Sequence, residues 1–282
     1  MNMVKTVFLM GLLLALMIFI GHLYGGRDGA TMAFVFAMVI NLGSFWFSDK
    51  IVLGMYGAKP LDRRDAGWLQ ESAARLAAEA GIPAPRLFLI ESDQPNAFAT
   101  GRSPAHGAVA VTSGLLRLMS RDEVEGVLAH EIAHISHRDT LIATLAAAFA
   151  GAIMYLASMA RWAAIFGGGR SGDRGRGGLE LLFVMLVAPL AASLIQLAIS
   201  RSREYAADES AARYAGSSLG LARALEKLGY AAERIPADAA PATAHLFIVN
   251  PLSGGGLVSL FSTHPPIRER VRRLYAQAGI AA

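Results

Sequence analysis

Four apolar runs constrain this chain more than any other feature. Residues 6–24 (TVFLMGLLLALMIFIGHLY), 29–47 (GATMAFVFAMVINLGSFWF), 140–160 (TLIATLAAAFAGAIMYLASMA) and 181–200 (LLFVMLVAPLAASLIQLAIS) contain no Asp, Glu, Lys or Arg. A bilayer core is crossed by about 20 apolar helical residues, so each run is long enough to span one. The third is Ala-rich, and a buried helix of a soluble core is its competing reading. A cleavable signal competes for the first. It lacks a clear small-x-small site and a second run follows at once, so it reads as an anchor. With 54% hydrophobic and 17% charged residues, the chain is too apolar for an ordinary soluble domain of its length.

The runs divide the sequence. Residues 1–48 form a two-span anchor, and 140–200 form a second membrane pair joined by the Gly/Arg-rich loop GGGRSGDRGRGG at 167–178. Between and after them lie two polar blocks, 49–139 and 201–282. A net charge of +4 gives no nucleic-acid signature, and the absence of cysteine excludes disulfides and thiolate metal sites. Nothing in the sequence reports an oligomeric state.

In the first polar block, WLQESAARLAAEAGI reads as an amphipathic helix ending at Gly81. RLFLIES (86–92) and GAVAVTSG (107–114) read as strands bounded by Pro and Gly. Between them, NAFATG (96–101) is either an edge strand or a tight turn. Ser120 followed by Glu123 is a capping box that starts a helix, with Val124, Val127, Leu128 and Ile132 as its apolar stripe. The fold class expected is mainly α, α+β: a helical membrane anchor of four spans with a domain that holds a small β-sheet and that the HEIAH sequence (130–134) on this helix makes a zincin-like catalytic domain.

That capped helix carries VLAHEIAHISHRD. His130 and His134 stand four apart, so both imidazoles project from one face, with Glu131 beside them. This is the H-E-x-x-H pattern of metalloproteases: two nitrogens for zinc and a carboxylate for its water. Seven histidines in 282 residues make a chance match rare, about 0.007 expected per chain of this composition. Zinc needs a third protein ligand. In SRSREYAADESAARYAG, Glu204 and Asp208 are i and i+4. Glu204 is a candidate ligand, and Asp208 a candidate acceptor for the far nitrogen of a ligand histidine. A solvated face paired with Arg201 and Arg203 is an equal reading of the same spacing. His137 is a rival third ligand, or part of a basic patch at the membrane surface.

HEIAH and SREYAAD, with NAFATG upstream and NPLSGGGLVSLFSTHPP downstream, make the chain similar to the HtpX-type membrane zinc proteases, bacterial relatives of the CAAX-prenyl endoproteases. The resemblance covers nearly the whole chain. It implies one zinc held by His130, His134 and Glu204, with Glu131 as catalytic base and Asp208 supporting a ligand. It implies endopeptidase action on misfolded or surplus membrane proteins at the cytoplasmic side of a bacterial inner membrane, as part of envelope quality control. His264, in THPPIRER, is the candidate donor to the oxyanion, a turn before two prolines being the alternative. Arg270 pairs with a nearby acid or lies on an exposed helix face. Asn96, Ala97, Phe98 and Ala99 would receive the substrate backbone if NAFATG is an edge strand. A membrane scaffold or chaperone that keeps the fold without hydrolysis, and a zinc hydrolase of non-peptide substrates, remain open; the intact Glu131 speaks against the former.

Topology gives one further expectation. His134 and Glu204 can meet only if the chain between them crosses the bilayer an even number of times. Lys5 and the basic residues of 50–64 put both polar blocks inside. Arg161, Arg170, Arg174 and Arg176 would then lie outside, against the positive-inside bias, unless the third and fourth runs dip in and return.

Overall fold

The computed structural model describes residues 2–145, 201–232, 234, 248 and 265–280. The fourth apolar run, most of the third, the Gly/Arg-rich loop and His264 lie outside the described residues.

Helix α1 (Asn2–Met55) is two helical arms joined at Gly26, whose φ of 58° is open to glycine and strained for residues with a Cβ. The arms fold back on each other. Asn41 Nδ2 donates to the Met10 carbonyl at 3.5 Å, and Met10, Leu12, Ile40 and Phe45 pack on Leu141 and Leu145. The second arm, Gly25–Met55, is long and apolar enough to cross a membrane. It exposes Met32, Val35, Phe36, Val39 and Leu42, the surface a lipid-facing helix presents. The first arm contributes a shorter apolar stretch, Met10–Phe19. Of the four expected spans, then, one meets the length and composition test among the described residues.

The last turns of α1 leave this apolar zone and dock on a small mixed sheet. Its order is β1 (Lys59–Pro60), β2 (Arg86–Ile90), β4 (Ala108–Thr112), β3 (Ala97–Thr100). β2 and β4 run parallel, while β1 and β3 lie antiparallel at the two edges. Side chains alternate across the sheet with the period of two that strands impose. Phe98, Ala108, Ala110 and Ile90 meet Val52 and Leu53 of α1. Ala97, Ala99, Val109 and Val111 face the helical core. The NAFATG strand is therefore clamped between helix α1 and the helix at Arg121–Ser136.

The core is helical. α2 (Arg63–Glu79) supplies Leu69, Ala73 and Leu76. A short α3 (Ser113–Leu118) leads into α4 (Arg121–Ser136), which starts at the expected capping box: Ser120 Oγ accepts from the Glu123 amide, and Glu123 Oε2 accepts from the Ser120 amide at 2.7 Å. Helical residues 139–145 follow. After residue 200 come α5 (Arg201–Ala215), α6 (Leu219–Ala232) and α7 (Ile267–Gln277). α4 lies against α5 and α6. Gly126 lets α6 approach closely, since a Cβ there would lie 2.4 Å from the Leu221 amide nitrogen. Leu128, Ile132, Leu225 and Leu228 are buried in this layer. Each full burial of such a side chain contributes about 1.5–3 kcal/mol.

Candidate active site

α4 is almost wholly buried from Val127 to Ala133, so the chain places His130 and Glu131 inside the protein and must supply them with partners. The helical period brings the two imidazoles together, with His130 Nε2 3.1 Å from His134 Nε2. α5 crosses α4 and delivers Glu204. Its Oε2 lies 3.6 Å from His130 Nε2 and its Oε1 lies 3.5 Å from His134 Nε2. Two imidazole nitrogens and a carboxylate thus converge, all within 4.8 Å of one another. A tetrahedral zinc with bonds of about 2.0–2.1 Å sets its ligand atoms about 3.3–3.4 Å apart. The observed spacings fall on either side of that figure, so the donor set fits such an ion.

The outward nitrogens are also engaged. His130 Nδ1 is 3.0 Å from Asp208 Oδ1, and His134 Nδ1 is 3.3 Å from Asp139 Oδ2. A carboxylate at Nδ1 holds the N–H on that side and leaves Nε2 as the metal-facing lone pair. Asp208 is gripped in turn by Arg270 of α7, through Nε to Oδ2 at 2.8 Å and Nη2 to Oδ1 at 2.7 Å. Arg270 Nη1 also lies 3.5 Å from Glu204 Oε2, and its side chain has no exposed surface.

The electrostatics follow from this crowding. Burial and the Arg270 charge lower the His130 pKa, but hydrogen bonds to Asp208 and Glu204 outweigh them and carry it up to about 9. Burial raises the Glu131 carboxyl, partly offset by the adjacent histidines and by a backbone hydrogen bond from Ala99. Burial would also raise Asp208, yet the Arg270 guanidinium holds it below the usual carboxylate range. Arg270 is held above its ordinary value, because the Asp208 charge overcomes burial.

His130, Glu131, His134, Glu204 and Asp208 thus meet in one site. Arg270 joins them as a buried partner of Asp208 rather than on an exposed helix face. His137 does not join the trio; its Nε2 lies 3.2 Å from Ser210 Oγ. Asn96 turns its Oδ1 inward, accepting from the amides of Ala97 at 2.8 Å and Ile248 at 3.3 Å. Ala97, Phe98 and Ala99 lie on an edge strand, with Ala99 beside Glu131. Asp139 was not singled out by the sequence. It stands five residues after His134 and beyond the end of α4, where helical spacing carries no signal.

A His-Glu-x-x-His helix facing a carboxylate from a second helix defines a metalloendopeptidase with two imidazoles and one glutamate as its metal-binding set. The chain belongs to peptidase family M48, whose sequence model matches residues 63–278. It is 57% identical over 279 residues to the Protease HtpX homolog of Thermodesulfovibrio yellowstonii, covering 99% of each chain. It is 55% identical to that of Syntrophobacter fumaroxidans, covering 96% of this chain and 97% of the relative. In fold it is similar to the crystal structure of S. mikatae Ste24p, with a TM-score of 0.53 at 21% identity over 97% of this chain and 65% of that one. The enzyme is a membrane metalloprotease.

Proposed function

We propose that this chain is a zinc-dependent endopeptidase that hydrolyses misfolded or surplus membrane proteins, with its site at the cytoplasmic face of a bacterial inner membrane. The observation that carries the zinc reading is the His130–His134–Glu204 donor set, whose spacing matches the edges of a tetrahedral ion. Bound there, zinc would supply Lewis acidity and an acidified water. Glu131, beside the donor set, would serve as the base that takes the proton of the attacking water and passes it to the leaving amine. Asp208 and Arg270 keep His130 in one tautomer. An extended substrate would add to β3, the edge strand of the sheet, so that Ala97 to Ala99 bind main chain rather than read sequence. His264 donates to the oxyanion.

The lipid bilayer is the second partner. In this reading residues 1–48 anchor the chain, 49–139 and 201–282 form the two halves of the catalytic domain, and 140–200 form the second membrane pair. The exposed apolar face of Gly25–Met55 supports insertion. The docking of Val52 and Leu53 under β3 supports a site close to the membrane surface.

Two experiments test this. Detergent-purified protein should contain close to one zinc per chain and cleave casein, with cleavage abolished by a chelator and restored by zinc. Cleavage that survives complete zinc removal contradicts the reading. Because the chain has no native cysteine, single cysteines at Ser72, Ser218 and Ser171 report topology in intact cells. Ser72 and Ser218 should resist a membrane-impermeant thiol reagent until the cells are opened. Labelling of either from outside contradicts the cytoplasmic assignment. Labelling at Ser171 marks 140–160 and 181–200 as full spans, and protection marks a re-entrant hairpin.

A further inference from the structure

We propose that Asp139 is a positioning residue of the metal site, holding His134 by Nδ1 as Asp208 holds His130. The inference rests on the reading of His130, His134 and Glu204 as metal ligands. The two rings turn their Nε2 atoms toward each other and toward Glu204, so each presents Nδ1 outward. Each outward nitrogen meets a carboxylate: Asp208 at 3.0 Å for His130, Asp139 at 3.3 Å for His134. Both carboxylates are buried.

The backbone is shaped to bring Asp139 there. In a continuing helix, residue 139 would lie five positions, about 140°, round from His134 and could not reach its ring. α4 instead stops at Ser136, with His137 as its cap. Arg138 then takes φ of 60°, the left-handed conformation more often left to glycine. That conformation costs a residue with a Cβ about 1–2 kcal/mol. It turns the chain so that the next side chain returns along the last turn of α4. The second Asp139 oxygen lies 3.7 Å from Arg203 Nη1, and Arg203 immediately precedes Glu204. One carboxylate thereby links the helix bearing His134, the helix bearing Glu204, and the start of the segment leading to the third apolar run.

A residue that only joined these segments would affect stability and leave metal affinity alone. A positioning residue changes how the ring meets the metal. The experiment uses the full-length protein in detergent, with zinc affinity measured by competition against a chromophoric chelator. Cobalt(II) absorption reports ligand geometry on the same samples. Asp139→Ala should weaken zinc by roughly 10–100-fold and alter the cobalt spectrum. Asp139→Asn keeps the shape and an acceptor oxygen but loses the charge, and should cost about tenfold. KM for a peptide substrate should stay within about twofold, because Asp139 touches no substrate. Folded Asp139 variants with wild-type zinc affinity and spectrum overturn the proposal. If Asp139→Ala does not fold, the near-isosteric Asn variant decides by the same criterion. Glu204→Ala, run alongside, separates the two levels. Retained zinc there overturns the ligand set itself, whereas lost zinc there with normal Asp139 variants overturns only this inference.

Discussion

Arg270 and Asp208, 62 residues apart in sequence, meet in a two-pronged ion pair in which both side chains are buried. The pair fixes the C-terminal helix against the helix that carries Glu204, and Asp208 in turn touches His130. Through this contact the last helix of the chain helps determine the shape of the metal site.

Removing either member strips a buried charge of its nearest partner, and breaking a buried pair costs about 3–5 kcal/mol. Arg270→Ala should therefore lower the melting temperature of the detergent-solubilised enzyme and weaken zinc binding together. Asp208→Ala should do the same, with a zinc affinity loss of roughly 10–100-fold. A variant of either residue that melts like wild type would contradict the buried-pair account. Glu204→Ala differs in kind, since it removes a donor atom and should lose the metal altogether.

Gly126→Ala adds one methyl where α4 touches α6. In an exposed helix the exchange gains about 1 kcal/mol. Here the new carbon would lie 2.4 Å from the Leu221 nitrogen and 2.8 Å from the Gly220 carbonyl carbon, both main-chain atoms that cannot swing aside. Overpacking of this kind costs about 1–3 kcal/mol, so the net effect should be a lower melting temperature. Gly54→Ala, at a helical position with no neighbour within 4 Å, is the control and should be neutral or stabilising.

Glu123 supplies a pH-dependent part of the stability. Burial would raise its pKa, but Lys227 at 2.7 Å and the Ser120 amide outweigh burial and hold it below the usual 4.5. A depressed folded pKa stabilises the folded state fully above 4.5, and the gain is lost as pH falls through the folded value. Glu123→Gln keeps the capping acceptor but loses the charge facing Lys227, and should melt lower than wild type at pH 7. The difference should shrink as the pH is taken below 4.5. A difference independent of pH would mean that the charge is not the cause.

Much of the site is local and was legible for that reason. His130, Glu131 and His134 follow from the period of a single helix, whose start was marked by Ser120 and Glu123. The turn at Gly26 lies between two apolar runs, and the edge position of Ala97 to Thr100 was one of two readings that the sequence allowed. What escaped depends on contacts between distant segments or on a backbone exception. The choice between Arg270 as a partner and as an exposed residue rests on how α7 docks on α5. The orientation of Asp139 rests on a left-handed Arg138, which residue type disfavours. The parallel pairing of β2 with β4 is set by tertiary packing, not by the alternation within either strand.

The most direct test of the central claim is a paired measurement of zinc content and proteolysis on Glu131→Gln. The amide preserves the size of the side chain and removes the proposed base, while His130, His134 and Glu204 remain in place. The account predicts zinc close to one per chain with activity reduced by roughly 10²–10⁴-fold, the range typical for loss of a general base. Zinc-loaded Glu131→Gln that cleaves casein at the wild-type rate would contradict it.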